Sequence, residues 1–369
     1  MKIIKAIYRY IGIIISSFAG VGLILSAYSN HISPNTLHYA AYLSLGFHII
    51  LWVNVAIFVF WTIQKNKILL IPLTAIILSI GATYRYFPLN IYDNKYSGGD
   101  TIKVLTYNTC CFSKMHPHTK DNPNPIIEYI NNLEADVVCL QEYAMGRAKN
   151  SLREAELVKA FREKYPYRKI FLNNNSYYES GLACLSKYPI VEAKPIIYPK
   201  NTNGSIICSI DVKGKTIKFI INHLESNRLS SHDRELFNYA TSHLSESDSL
   251  MVDVKHNIVR KIANASRRRA NQADSIANYI KNLDEYVVVC GDFNDTEQSY
   301  TYNKIRGDLN DAYIDNCFGP AISYNTDKFY FRIDHMLYGS GLVPLHTKID
   351  NSIKDSDHYP VITTFEIKE

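Results

Sequence analysis

Eight residues able to bind a cation, hold a phosphate or carry a proton stand at or beside the ends of short apolar runs. They are Asn108 after VLTY, Glu142 after VVCLQ, His223 after FIIN, Asp292 and Asn294 around the end of VVVCG, Asp334 in FRIDHMLY, and the adjacent Asp357 and His358 of DSDHYP. A strand that buries its apolar residues and ends on a carboxylate, amide or imidazole presents that group at the rim of a sheet, where sites are commonly built. Singly, each has an ordinary explanation: Asn108, Asp292 and Asn294 suit turns, Glu142 a helix start, and His223 a strand end. Jointly, a set of acids, amides and imidazoles points to hydrolysis at phosphorus. Hard oxygen ligands such as Glu142 suit Mg2+ or Mn2+, which neutralises a phosphate and stabilises the leaving oxygen. Asp292 can polarise a water that the Asn294 amide orients. His358 can hold the phosphate as an imidazolium if Asp334 raises its pKa, with His223 acting from the other side. No zinc-ligand spacing, G-x-S-x-G or Walker A motif occurs, which removes the serine-hydrolase and P-loop readings.

The elements that position these residues read as a mixed α/β region. IKVLTYN, a helix over about Pro125 to Leu133, and ADVVCLQE give strand, helix, strand. Short runs rich in β-formers follow: YRKIFL, GLACLS, SIICSIDV, TIKFIINH, YVVVCGDF, RIDHMLY and YPVITTFEI. The segment from His223 to Tyr286 lacks strand character and predicts two or more helices. Its Arg267–Arg269 cluster fits a solvated helix face, with anionic lipid or phosphate as the alternative partner.

The first third of the chain is of another kind. Apolar stretches cover Ile11 to Tyr28, Ala40 to Ile63 and the 17 residues between Lys67 and Arg85. Two are long enough for a transmembrane helix and the third is at the lower limit. The expected organisation is a helical anchor of about three spans over 1–91, a linker over 92–100 and a catalytic domain over 101–369. Lys2, Lys5 and Arg9 precede the first stretch, and Lys65 and Lys67 separate the second from the third. The positive-inside rule therefore puts the N-terminus in the cytoplasm and, with three spans, the domain outside it; two spans would leave it cytoplasmic. His48 and Asn54 in the second stretch fit a helix–helix hydrogen bond.

Of the net charge of +5 over 369 residues, seven basic residues and one acidic one fall in 1–99, leaving 33 against 34 in the rest. The charge balance gives no support to a broad phosphate-binding surface on the catalytic region. The seven cysteines are odd in number and fall mostly in strand-like runs, as small core residues do.

LTYN, LQE, NHLES, GDFND, RIDHMLY and SDHYP, in this order between about Thr101 and Ile367, resemble the endonuclease/exonuclease/phosphatase superfamily. The resemblance implies a four-layer α/β/β/α sandwich of the DNase I-like kind and divalent-metal phosphoesterase activity. It assigns Asn108 and Glu142 to the metal, with Asp357 near it, and makes Asp292 the water-activating acid with Asn294 its orienting partner. His223 and His358 become the phosphate-binding histidines, with Asp334 orienting His358. Both tryptophans, Trp52 and Trp61, lie in the second apolar stretch, so the Trp-containing signatures of inositol polyphosphate 5-phosphatases are missing from the domain. Cys110 stands where AP endonucleases carry an acid. What the sequence leads to is a membrane-anchored phosphodiesterase whose partners are the bilayer and a lipid head group or other small phosphodiester. A tethered nuclease is the alternative, and a scaffold without turnover a further one. No protein partner is predictable.

Overall fold

The computed structural model describes the chain except for residues 1, 92–93, 95, 149–150, 175–177, 199–202, 231, 234, 236–248, 284, 327–328 and 369. Helices α1 (Lys2–Tyr28), α2 (Tyr39–Leu45), α3 (Phe47–Ile63), α4 (Leu70–Leu78) and α5 (Ile80–Tyr86) make the N-terminal unit. Among the described residues one helix, Ile3–His31, is by itself long and apolar enough to cross a membrane. The other two apolar stretches are not straight rods: α2 and α3 meet at 57°, and the helices of 67–86 bend by 68° between Leu78 and Ile80. The first break falls at Gly46, a poor helix former, and the second at Ser79, whose φ of −100° and ψ of 13° are outside the helix. Hydropathy is a sum and does not register either bend. Asn54, fully buried, donates through Nδ2 to Ala19 O at 2.9 Å, the expected interhelical bond, while the His48 ring stacks 6.1 Å from Tyr86.

From Asp100 onward, two six-stranded mixed sheets face each other. The first has the order β13 (Leu342–Ile349), β14 (Val361–Ile367), β1 (Asp100–Asn108), β2 (Val137–Gly146), β4 (Tyr178–Ser186), β3 (Tyr167–Asn174). The second runs β5 (Ile190–Ile196), β6 (Ser205–Val212), β7 (Lys215–His223), β8 (Val287–Asp292), β12 (Asp334–Tyr338), β9 (Asn310–Asp311). In each, one pair is parallel, β1 with β2 and β7 with β8. The hairpin of β10 (Tyr324–Thr326) and β11 (Phe329–Phe331) stands apart.

The alternation of side chains along the strands builds the layers. In β1 and β2, Val104, Val137 and Cys139 enter the core between the sheets. Their neighbours Leu105, Val138 and Leu140 point the other way, onto helices α7 (Pro125–Leu133) and α8 (Glu154–Phe161). Both faces are covered, which is why these strands read as continuous apolar runs. The second sheet packs Ile220, Val289 and Leu337 against Ala273 and Ile276 of the long helix Ser249–Ile280 and against Tyr302 and Ile305. The result is helix, sheet, sheet, helix, as expected. Helix α7 spans the residues predicted: Pro125 opens it, and the Asn124 side chain caps it by accepting from Ile126 N and Ile127 N at 3.1 and 3.3 Å.

The later part of the 223–286 segment forms one helix of 32 residues, Ser249–Ile280; whether a second helix precedes it falls on 236–248, outside the described residues. Two expectations, on Arg269 and on the cysteines, are corrected. Arg269 is not on a solvated face. It is 2% exposed, on the same stripe as Ser266, Ala270 and Ala273, while Arg267 and Arg268 are exposed as expected. Cys139, Cys184, Cys208 and Cys290 are buried and free, whereas Cys110, Cys111 and Cys317 are only half-buried.

Gly291 controls the approach of β8 to β7. Its φ is +123°, and a Cβ built there would lie 2.1 Å from Asn222 O. Gly291→Ala is therefore expected to cost about 2–4 kcal/mol of stability and to displace Asp292, the next residue. Equal urea midpoints for variant and wild type would contradict this.

Candidate active site

The carboxyl ends of the two parallel pairs meet. β1 ends on Asn108, β2 carries Glu142, β7 ends on His223 and β8 on Asp292. His223 is in register with Asp292 across the parallel pair, and Asp334, first residue of β12, is opposite Asp292 across the antiparallel one. His358 comes from the loop that enters β14, the neighbour of β1.

Asp292 is the hub. It is 1% exposed; its Oδ1 accepts from Asn294 N at 2.7 Å, and its Oδ2 accepts from the amides of Asn108 and Asn294, both at 3.1 Å. Two imidazoles face the same Oδ2, His223 Nε2 at 3.6 Å and His358 Nε2 at 3.8 Å. On the far side of the His358 ring, Nδ1 meets Asp334 Oδ2 at 2.8 Å, and Asp334 is itself held by Ser323 Oγ at 2.7 Å. Asp292, Asp334 and His358 offer atoms within 4.8 Å of one another, close enough for a cation. The hydrogen bond joining His358 to Asp334 makes them a proton-sharing pair instead.

The two histidines differ in charge. Burial opposes a charged His358, but the carboxylates of Asp334 and Asp292 outweigh it and raise its pKa to about 10. Burial dominates at His223 and lowers its pKa, against the pull of Asp292 and with His358 adding to the lowering. Near neutral pH the site thus holds one imidazolium beside one neutral imidazole. The Asp292 carboxyl is raised, by burial first and by Asp334, against the attraction of both histidines.

Glu142 is presented by strain. The ladder between β2 and β4 breaks register between Gln141 and Tyr143, and Glu142 takes a φ of 53°. Such a bulge re-aims a side chain toward a site. Next to it the residues from Cys110 to Met115 wind left-handed, with φ from 45° to 64°, at about 1–2 kcal/mol each for L-residues. Thr109 ties the two features together, its Oγ1 donating to Glu142 O at 2.9 Å and accepting from Phe112 N at 3.2 Å. The Glu142 carboxyl is raised in pKa, by burial first, then by Asp357 against the effect of His358, and it lies within hydrogen-bond reach of the Asn108 side chain. Asn108, Glu142 and Asp357 thus offer amide and carboxylate oxygens in one cleft, a donor set that fits a hard divalent cation.

Seven of the eight predicted residues line this cleft; Asp334 sits behind His358. Sequence reasoning missed Ser356, whose Oγ donates to Asn108 O at 2.7 Å and accepts from His358 N at 3.1 Å. It also missed Ser323, which no local signal marks. Arg269 was legible in principle, as a charge on an otherwise small and apolar helical stripe. Its guanidinium meets Asp295 Oδ2 at 3.1 Å, Glu225 O at 2.8 Å and Asn227 Oδ1 at 3.0 Å, fixing the loop after His223.

The two facing sheets are the fold of a class of proteins whose members hydrolyse phosphoester bonds. The chain belongs to the Endonuclease/Exonuclease/phosphatase family, whose model matches residues 105–358. Residues 8–86 match a second model, a domain of unknown function (DUF8431). Similar solved structures include an endonuclease/exonuclease/phosphatase from Beutenbergia cavernae, 15% identical over 73% of this chain and 72% of that one, with a TM-score of 0.49. ANGEL2, a 2′,3′-cyclic phosphatase, is 14% identical over 76% and 99% of the two chains, with a TM-score of 0.49. Sphingomyelinase C from Streptomyces griseocarneus is 20% identical over 72% and 99%, with a TM-score of 0.43. No curated protein matches the chain.

Proposed function

We propose that this protein is a Mg2+- or Mn2+-dependent phosphodiesterase, anchored in a membrane by its N-terminal helices and acting on a lipid head group or other small phosphodiester. The observation that carries the reading is Asp292, a buried carboxylate facing two imidazoles of different charge beside an all-oxygen set. Asn108, Glu142 and Asp357 would hold the cation, which would supply charge neutralisation at the phosphate and the leaving oxygen. His358, kept charged by Asp334, binds a phosphate oxygen. Asp292 takes the proton of the attacking water, and Asn294, fixed between Asp292 and Leu224 O at 3.0 Å, orients that water. His223, neutral and with Nε2 3.9 Å from Glu142 Oε1, donates a hydrogen bond to the phosphate from the other side.

The anchor reading rests on apolar residues that face outward from the helices, among them Phe18 at 84%, Ile63 at 73% and Ile80 at 62% exposed. Surfaces of this kind are not left in water. The basic residues that flank them put the N-terminus in the cytoplasm, and with three spans the catalytic domain lies on the opposite side. A near-neutral catalytic region disfavours long DNA, whose binding needs many phosphate contacts.

The test is hydrolysis by the detergent-purified chain of phospholipid or sphingomyelin vesicles, in parallel with supercoiled plasmid. Cleavage of lipid that EDTA abolishes and Mg2+ restores is the expected result. Plasmid nicking alone would replace this reading with a tethered nuclease, and activity indifferent to EDTA would remove the metal from it.

A further inference from the structure

The catalytic cleft, about 240 Å³, is not walled by the two sheets alone. Its lining includes Ala41 and Leu45 of α2, in the N-terminal unit. That helix is fastened over the long helix: Tyr42 donates through its hydroxyl to Val259 O at 2.6 Å, and Asn35 Nδ2 donates to Asn271 Oδ1 at 2.8 Å close by. Farther along the unit, Gln298 Nε2 donates to Ala82 O at 2.7 Å and Arg85 donates to Gln298 Oε1 at 3.0 Å. The N-terminal unit is thus built onto the site rather than trailing from it.

The lining is of two kinds: polar groups, among them Glu142, His223, Asp292, His358 and Arg269, and the apolar side chains of Ala41, Leu45, Ile262, Phe329 and Phe331. Leu45 and Phe331 also border a further cavity of about 320 Å³ at the junction of the two regions, lined by Phe47 and Tyr86 on one side and by Ile322, Gln298 and Arg332 on the other, so an apolar arm extends along that junction. A small, fully polar ester would leave this arm facing water, which is unfavourable for surface of this kind.

We propose that α2 forms one wall of the substrate site and that the cleft takes an amphiphilic phosphoester, its phosphate among His223, Asp292 and His358 and its alkyl chain between Ala41, Leu45, Ile262 and Phe331. This rests on the reading of the site given above and names the part of the substrate that reading leaves open. Because α2 leads directly into α3, whose Ile49 and Trp52 are 61% and 50% exposed, a chain leaving the bilayer beside α3 reaches the phosphate site along the arm.

The test uses the full chain and a series of alkyl 4-nitrophenyl phosphates from ethyl to octyl, each kept monomeric, with nitrophenolate release as the signal. In the wild-type protein kcat/KM is expected to rise about fourfold per added methylene until the arm is filled. Ala41→Trp, which fills the arm, is expected to lower the octyl-to-ethyl ratio of kcat/KM at least tenfold. A flat series in the wild-type protein, or an unchanged ratio in the variant, overturns the arm. Ethyl ester hydrolysis undiminished in Asp292→Asn instead overturns the site reading itself, so the two failures are told apart. The wild-type series needs no substitution and stands even if Ala41→Trp does not fold.

Discussion

Replacing Asp292 by Asn is expected to lower Mg2+-dependent phosphoester hydrolysis by about a thousandfold or more while the protein remains folded. The substitution keeps the shape of a side chain that is 1% exposed and removes its charge and its ability to take a proton. A positioned general base contributes about 10²–10⁴ in rate, and here the same carboxylate also orients two amides and faces two imidazoles, so several functions fail together. The amide of Leu224 donates to the backbone oxygen of residue 292, at 2.9 Å, so the strand-end geometry does not depend on the side chain. Turnover measured beside a thermal melt separates the two effects. A rate within tenfold of wild type would exclude Asp292 as the base.

His358→Ala is expected to reduce kcat by about two to four orders of magnitude, because it deletes the charged imidazole closest to where negative charge develops. The ring is 5% exposed and packs 5.0 Å from Tyr324, so its removal leaves a hole open to the cleft. Added imidazole is therefore expected to restore part of the activity in His358→Ala and none in Asp292→Asn. A wild-type rate in His358→Ala, or equal rescue of both variants, would exclude the assigned role. Asp334 acts through His358 and is a positioning residue.

Most of the site could be read along the chain because each member obeys a local rule. Val104 to Tyr107 and Val137 to Gln141 are buried on both faces and so read as apolar runs, and the polar residue after each marks where the run leaves the core. Helix α7 was legible to its ends because an Asn cap and a following Pro act within a single turn. Arg269 was misjudged because three consecutive arginines look like a solvated face, and it is the acceptors Asp295, Glu225 O and Asn227 that make its burial tolerable. The bends at Gly46 and Ser79 were invisible because hydropathy counts residues without regard to direction.

The sequence by itself determined the kinds of chemical groups, their places at strand ends, the apolar character of the first third and the segregation of its basic charge. These follow from side-chain type and short periodicity. Only the tertiary structure decided that the ends of β1, β2, β7 and β8 converge on one carboxylate, that Ser323 holds Asp334, and that α2 closes the cleft with Ala41 and Leu45. Parallel neighbours require crossover connections, and sheets and helices distant in sequence are brought together by burial of faces whose partners no local pattern names.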